Sequence, residues 1–272
     1  MAVLTVTALQ PSLTWLEPES NLRVIREMAD RVAASGSVDV IVLPEAFDGV
    51  PAEMDASRGA DHVREFVVEL ARRTEAHVVG GSVAYRHSDG RVFNSCFVVD
   101  RTGRLIGEYA KRKLFASERA TRTPGEAPGL FDLEGLRIGV LICSDLWYPE
   151  LAREMYGRVD LVCVPAKTTV PSREFVRYAR VLWWSLALTR AVENVVPVVV
   201  SDWCEQSHPT CRTAGATSVN DPAGRPDVER TQRRIEEGHE GVVVAQIDLD
   251  AVEQVRAYRR SAGLLPRPDA NR

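Results

Sequence analysis

Two pairs of segments in this chain echo each other at a single spacing. VDVIVLPE begins at Val38 and VDLVCVPA at Val159, while DRTGR begins at Asp100 and DPAGR at Asp221, so each pair is 121 residues apart. A shared offset of this kind points to two halves built on one strand-helix-strand plan. The segments between the echoes agree with it. VLTVTALQ, VDVIVLPEAF and HVVGGSVAY read as strands, NLRVIREMADRVAASG and ADHVREFVVELARRTEA as amphipathic helices, and VFNSCFVVDRTGRLIGEYAK as a hairpin turning at 100–103. After Pro124 the order recurs. RIGVLICS, VDLVCVPAK and VPVVVSDW are strands, PELAREMYG and FVRYARVLWWSLALTRAVEN the helices between them, and TAGATSVNDPAGRP leads into a further turn.

Strands that are apolar along their whole length and alternate with helices form sheets that helices must cover. Two such halves packed sheet against sheet predict an α/β fold, a four-layer α-β-β-α sandwich of two pseudo-repeated halves. The expected organisation is one domain over 1–260 with a C-terminal tail over 261–272. A doubly wound open sheet is the alternative that spacing alone leaves open. ALQPSLTW, after the first strand, contains no glycine, which argues against a dinucleotide fingerprint.

Charge and composition narrow the function. With 34 Lys and Arg against 38 Asp and Glu, the net charge of -4 offers no basic field for nucleic acid or an anionic membrane. No apolar run approaches the roughly 20 residues of a membrane span, and the start MAVLTVTALQPS lacks the basic opening and cleavage site of a signal peptide. A cytoplasmic protein is expected. Five scattered cysteines, an odd number, fit free thiols in a reducing compartment.

Three polar residues interrupt or follow apolar strands. Cys143 ends the apolar run of RIGVLICSDLWYPE and is followed at once by Ser144 and Asp145. Such a thiol is either a small core hydrophobe or a nucleophile presented at a strand end, and this stretch alone favours neither. Glu45 follows VIVL and Pro44; it is a solvated loop residue or, if it projects into a cleft, a general base. Lys111, in GEYAKRKLF, belongs to a surface basic run or is a fixed ammonium facing an oxyanion.

VLPEAF, GEYAKRKLF, ERATRTPG and GVLICSDLWYPELAR resemble, in order and spacing, the successive motifs of the nitrilase superfamily, the carbon-nitrogen hydrolases. The resemblance continues through DLVCVPA, ALTRAVEN and GATSVNDPAG to about Asp250. It implies the α-β-β-α sandwich and places the family's catalytic Glu, Lys and Cys at Glu45, Lys111 and Cys143, with a second Glu at Glu118. CSD resembles the amide-cleaving branches, since nitrile-cleaving members typically follow the Cys with Trp and Glu. Two departures bear on substrate identity: Lys113 stands where many relatives have His, and Ser144 where many amidases have an aromatic.

The resemblance implies a cysteine-dependent hydrolase of a small ω-amide or N-carbamoyl compound, acting through a thioester and releasing ammonia or an amine and an acid. In this reading Glu45 is the base and Lys111, with a backbone N–H near Ser144, holds the oxyanion, while Glu118 positions Lys111. An acyltransferase that passes the thioester to an amine, and a non-catalytic member of the fold, are the competing functions. Ser144, Asp145 and Trp147 are the expected substrate-binding residues; Asp145 either lines the pocket or fixes the local turn. Arg190, Glu193 and Asn194 read as structural. Cys204, His208 and Cys211 lack a fourth ligand for zinc, and their segment is better read as a loop over the active site. No metal or cofactor is expected, and a homodimer or higher homo-oligomer is expected by analogy.

Overall fold

The computed structural model describes residues 3–51, 54, 60–224 and 226–265. Its first half runs β1 (Val3–Gln10), α1 (Pro18–Ser35), β2 (Val40–Val42), α2 (Ala60–Thr74), β3 (His77–Val79), β4 (Val83–Arg86), β5 (Val92–Val99), β6 (Leu105–Ala110) and the short α3 (Glu118–Thr121). The second runs β7 (Gly129–Leu133), β8 (Leu136–Val140), a 3-10 turn over Cys143–Trp147, α4 (Pro149–Glu154), β9 (Leu161–Pro165), β10 (Thr169–Val170), α5 (Val176–Asn194) and β11 (Val198–Ser201). It ends with β12 (Gln206–Ser207), β13 (Arg212–Thr213), β14 (Ser218–Asn220), α6 (Val228–Thr231), β15 (Gln232–Arg234), β16 (Gly241–Asp248) and α7 (Leu249–Ser261).

The echo in the sequence is an echo in the sheets. Strands β1, β2 and β3 are parallel neighbours with β5 antiparallel beyond them, and β8, β9, β11 and β14 repeat that order and sense. Each half then gains one antiparallel strand beside its first, β16 on β1 and β7 on β8. The DRTGR and DPAGR turns also match: Thr102 N–H donates to Asp100 Oδ1 at 3.0 Å, and Ala223 N–H to Asp221 Oδ1 at 2.8 Å.

Alternation along each strand then builds the layers. In the first sheet Val6, Val40, Val42, Val79 and Val98 face inward, sharing one core with Val140, Leu161 and Val199 of the second sheet. Their neighbours Ile41, Val78, Phe97 and Val99 face outward beneath Ile25 and Met28 of α1 and Phe66 and Leu70 of α2. Two-faced burial explains why these strands read as unbroken apolar runs. The four-layer sandwich is the observed fold, and the open doubly wound sheet is not.

Local departures from the sequence reading have identifiable causes. HVVGGSVAY is broken into β3 and β4, which pair with the two ends of β5. Gly81 has φ +56° and approaches the Pro44 carbonyl so closely that a Cβ would lie 2.2 Å from it. The break brings Ser82 beside Glu45 in an isolated parallel bridge. VDVIVLPEAF contributes only Val40–Val42 as strand, because Pro44 has no N–H for the ladder. Strands β7 and β16 and helix α7 are additions to the sequence reading, and most of the expected tail, 266–272, lies outside the described residues. Among the described residues no helix is long and apolar enough to cross a membrane.

Candidate active site

Lys111 and Glu118, seven residues apart in the chain, meet Glu45, which lies 66 residues before Lys111. Pro44 ends the ladder of β2, Ala46 takes φ +50°, and the Glu45 carbonyl accepts from the Trp203 indole N–H at 2.7 Å, so the Glu45 backbone is fixed from both sides. Lys111 directly follows β6, and its N–H donates to the Asn94 carbonyl at 2.9 Å. Its ammonium donates to Glu45 Oε1 and to Glu118 Oε2, each at 2.7 Å. Lys111 is 1% exposed, so the ion pairs are shielded from water. Burial opposes its charge, but Glu45, Cys143 and Glu118 outweigh burial and raise its pKa above the ordinary lysine range.

Asn94 completes this cluster. Its amide donates to Glu45 Oε1 at 2.9 Å and to Glu118 Oε1 at 2.5 Å, a second tie between the two carboxylates beside that of Lys111. Phe115 N–H donates to Glu118 Oε2 at 2.8 Å. The sequence analysis missed Asn94, yet a signal was there: it is an amide in a strand, VFNSCFVV, whose every residue is buried.

Cys143 opens the 3-10 turn with φ +45°, a left-handed conformation that a non-glycine residue adopts only under local constraint. The constraint is Asp145. Its carboxylate accepts from Ile142 N–H at 3.0 Å, Lys113 N–H at 2.7 Å and the Tyr109 hydroxyl at 2.8 Å. Arg190 supports the far end of the turn, with Nε donating to the Leu146 carbonyl at 3.1 Å. The Cys143 thiol is pushed well above its usual pKa, first by burial and then by the negative charge of the Glu45 carboxylate; Lys111 and the Lys167 backbone N–H act in the opposite direction.

A cavity of about 700 Å³ opens over this cluster, with Glu45, Lys111, Glu118 and Cys143 in its lining. Ser144 and Trp147 line it too. The Ser144 hydroxyl donates to the Lys113 carbonyl, and Trp147, 47% exposed, meets Trp183 edge-on at 6.2 Å. Asp145 is fully buried and outside the cavity lining, and its carboxylate is committed to the turn. Lys113 points away, its ammonium 4.5 Å from the Tyr148 ring and 3.6 Å from Glu150.

The Cys204–Cys211 segment forms a small sheet in which β13 pairs with both β10 and β12, and Thr210 and Cys211 reach the cavity wall. The Cys204 thiol turns to Gln206 Oε1, while His208 packs against the rings of Trp15 and Trp203 at 5.3 Å each. Among the described residues no group of three or more His, Cys, Asp or Glu is arranged to hold a metal ion. Asp202, buried and likewise missed from sequence, ties this wall together by accepting from Thr168, Trp203 and Ala216 N–H groups at 2.8 to 2.9 Å.

The family model described as carbon-nitrogen hydrolase matches residues 5–257. The chain belongs to the carbon-nitrogen hydrolase family. This carbon-nitrogen hydrolase is 29% identical over 259 residues to the 2-oxoglutaramate amidase of Bacillus subtilis (strain 168), covering 93% of both chains. It is 31% identical over 229 residues to the omega-amidase YafV of Escherichia coli (strain K12), covering 82% of this chain and 84% of that one. Saccharomyces cerevisiae Nit3, a nitrilase-superfamily protein, has the same fold, with a TM-score of 0.82 at 22% identity over 98% of this chain and 97% of its own. XC1258 of Xanthomonas campestris, a CN-hydrolase superfamily protein whose crystal structure carries an arsenic adduct in the active site, matches with a TM-score of 0.78 at 25% identity, covering 98% of both chains.

Proposed function

We propose that this carbon-nitrogen hydrolase cleaves a small linear ω-amide through a thioester on Cys143. The observation that carries the reading is that Cys143 and Glu45 line one cavity together with Lys111, whose ammonium donates to Glu45 Oε1 at 2.7 Å. The names of the relatives, 2-oxoglutaramate amidase and omega-amidase, support the amide class.

In the proposed reaction Glu45 accepts the thiol proton as sulfur attacks the amide carbonyl carbon. The C–S bond forms and the carbonyl π pair moves to oxygen, where Lys111 and the Ser144 backbone N–H hold it; one such donor contributes about 3 kcal/mol. Glu45 returns the proton to nitrogen, the C–N bond breaks and ammonia leaves. Water, deprotonated by Glu45, then attacks the thioester, and sulfur departs and regains its proton. The raised pKa of the buried thiol suits this cycle, because the proton leaves only when attack develops. Glu118 and Asn94 hold Lys111 and Glu45 in register, and Ser144 and Trp147 border the acyl chain. The same reading makes the enzyme a cytoplasmic homodimer, with residues 1–260 as the catalytic domain and 261–272 as a tail.

Intact-protein mass spectrometry with ammonia detection tests the reaction on ω-amides, N-carbamoyl amino acids and nitriles. Wild type releases ammonia and carries an acyl adduct that Cys143→Ala lacks. Ammonia release by Cys143→Ala at the wild-type rate would remove the thioester route. Added hydroxylamine separates transfer from hydrolysis, since a hydroxamate formed at the expense of free acid marks an acyl acceptor other than water. Light scattering on the purified full chain tests the dimer.

A further inference from the structure

The hydrogen bonds of the buried cluster distinguish its two glutamates. Glu118 has donors on both oxygens: Oε1 accepts from Asn94 Nδ2 at 2.5 Å, and Oε2 from Lys111 Nζ at 2.7 Å and Phe115 N–H at 2.8 Å. Glu45 receives two donors on one oxygen, Oε1, from Lys111 Nζ at 2.7 Å and Asn94 Nδ2 at 2.9 Å. Neither of them meets Glu45 Oε2.

Counting hydrogens sharpens the contrast. A side-chain amide nitrogen has two and an ammonium three. Asn94 gives one hydrogen to each glutamate, and Lys111 also gives one to each, which leaves a single Lys111 N–H for the cavity it lines. The two groups left over, one ammonium hydrogen and one carboxylate oxygen, are the pair that attack on an amide requires. The first can hold the oxyanion and the second can take the thiol proton.

Asn94 is fixed in its place. It is 7% exposed in β5, and its carbonyl accepts the Lys111 N–H at 2.9 Å, so one residue holds the lysine by its main chain and both glutamates by its side chain. The orientation of its amide follows from its partners, since the reverse would set Oδ1 against two carboxylates. Oδ1 itself is buried without a hydrogen-bond partner among the described residues. An unpaired buried acceptor is a cost to folding, and here it accompanies an amide nitrogen that is fully used.

We infer that Asn94 is a positioning residue that assigns the thiol proton to Oε2 of Glu45. A carboxylate held by one donor can turn about its broad terminal torsion and exchange its oxygens. Two donors brought to the same oxygen from the paired strands β5 and β6 prevent that turn. As attack proceeds, the S–H bond of Cys143 breaks, the proton forms an O–H bond at Oε2, and the sulfur pair forms the C–S bond. Glu118 has no oxygen free of donors and is not the base. The inference rests on the hydrolase reading of Cys143 and adds to it which oxygen acts and what keeps it free.

The test measures kcat and KM for glutaric acid monoamide, and alkylation of Cys143 by iodoacetamide, from about pH 5 to about pH 9 in wild type, Asn94→Leu and Asn94→Asp, with far-ultraviolet circular dichroism to confirm folding. Asn94→Leu lowers kcat by about 10- to 100-fold, the scale of a misplaced catalytic group, with KM little changed, and slows alkylation throughout. Asn94→Asp is equally slow above neutral pH but gains on the Leu variant as pH falls, because its carboxyl, once protonated, donates to a glutamate again. An unchanged kcat in Asn94→Leu, a loss confined to KM, or an Asp variant that gains nothing over the Leu variant in acid overturns the inference. If the Leu variant does not fold, Asn94→Ala replaces it under the same criteria. If wild type does not cleave the amide, the hydrolase reading is what fails, and alkylation decides alone. Slower alkylation in the Leu variant that the Asp variant regains in acid supports the role of Asn94, and identical rate profiles in the three proteins remove it.

Discussion

Lys111 and Glu45 form a buried ion pair 2.7 Å long, and the same ammonium closes a second pair of equal length with Glu118. Two carboxylates this close are compatible in a dry site only while the cation lies between them. Lys111→Met is therefore expected to cost about 3 to 5 kcal/mol of stability, the usual range for breaking a buried pair from one side, as well as activity. Urea unfolding checks the first part. Adding Glu45→Gln to Lys111→Met recovers part of the loss, since one unpaired charge disappears; a midpoint equal to wild type in the single variant would sink the claim. The lysine's raised pKa means this stabilisation is complete below the ordinary lysine pKa of about 10.4 and fades only as pH climbs through the raised value.

Asp145 shapes the nucleophile from outside the cavity. Asp145→Ala leaves the Ile142 and Lys113 N–H groups and the Tyr109 hydroxyl without their acceptor, each at about 1 to 3 kcal/mol when it stays buried and unpaired. Both lower stability and loss of the Cys143 geometry are expected. The discriminating measurement is Cys143 alkylation by iodoacetamide under native conditions, which should change in rate while far-ultraviolet circular dichroism retains the folded spectrum. An unchanged rate in a folded variant would show that the turn holds without the carboxylate.

Much of this arrangement is written in the chain. The 121-residue echo gave the paired halves because β2 and β9, and likewise β3 and β11, begin at equivalent points of one repeated plan. The apolar strands ending at Pro44 and Cys143 marked the floor of the cavity, since a chain that turns polar straight after a buried strand is leaving the core. What stayed hidden depends on tertiary contact. Nothing local in the sequence says that Asn94 faces two carboxylates or that Asp145 turns inward, because period-2 alternation is lost where both faces of a strand are buried. Strand β16 was missed for a different reason: it alternates buried and exposed residues, but it follows a charged stretch and joins the sheet of the opposite half.

The left-handed backbone at Cys143 has a measurable energetic consequence. With φ +45° the Cβ is crowded, and glycine is free of that penalty. Cys143→Gly is therefore expected to be more stable than Cys143→Ala by about 1 kcal/mol, although both lack the sulfur. Paired denaturation curves in guanidinium chloride check this. A glycine variant less stable than the alanine variant would mean that the unfolded-state entropy of glycine outweighs the strain.

Asp48 gives a prediction in pH. It is 5% exposed, and burial lifts its carboxyl to about 6, against the pull of the Val50 N–H, Lys167 and Arg122. A carboxyl whose folded pKa lies above its unfolded one binds its proton more tightly when folded, so its ionisation destabilises the fold. The penalty is absent below the ordinary aspartate pKa of about 3.9, grows as pH rises from there and is fully present above about 6. A shift of about two units corresponds to roughly 3 kcal/mol. Asp48→Asn keeps the oxygen that accepts from Val50 and removes the charge, so it should be more stable than wild type at pH 7.5, by up to that amount. The advantage should shrink as pH is lowered through 6 and vanish below about 4. Urea midpoints of the two proteins across this range decide it. An advantage that does not change with pH would assign the effect to packing, and a less stable Asn variant at pH 7.5 would show that the attraction of Lys167 and Arg122 for the Asp48 carboxylate outweighs its desolvation.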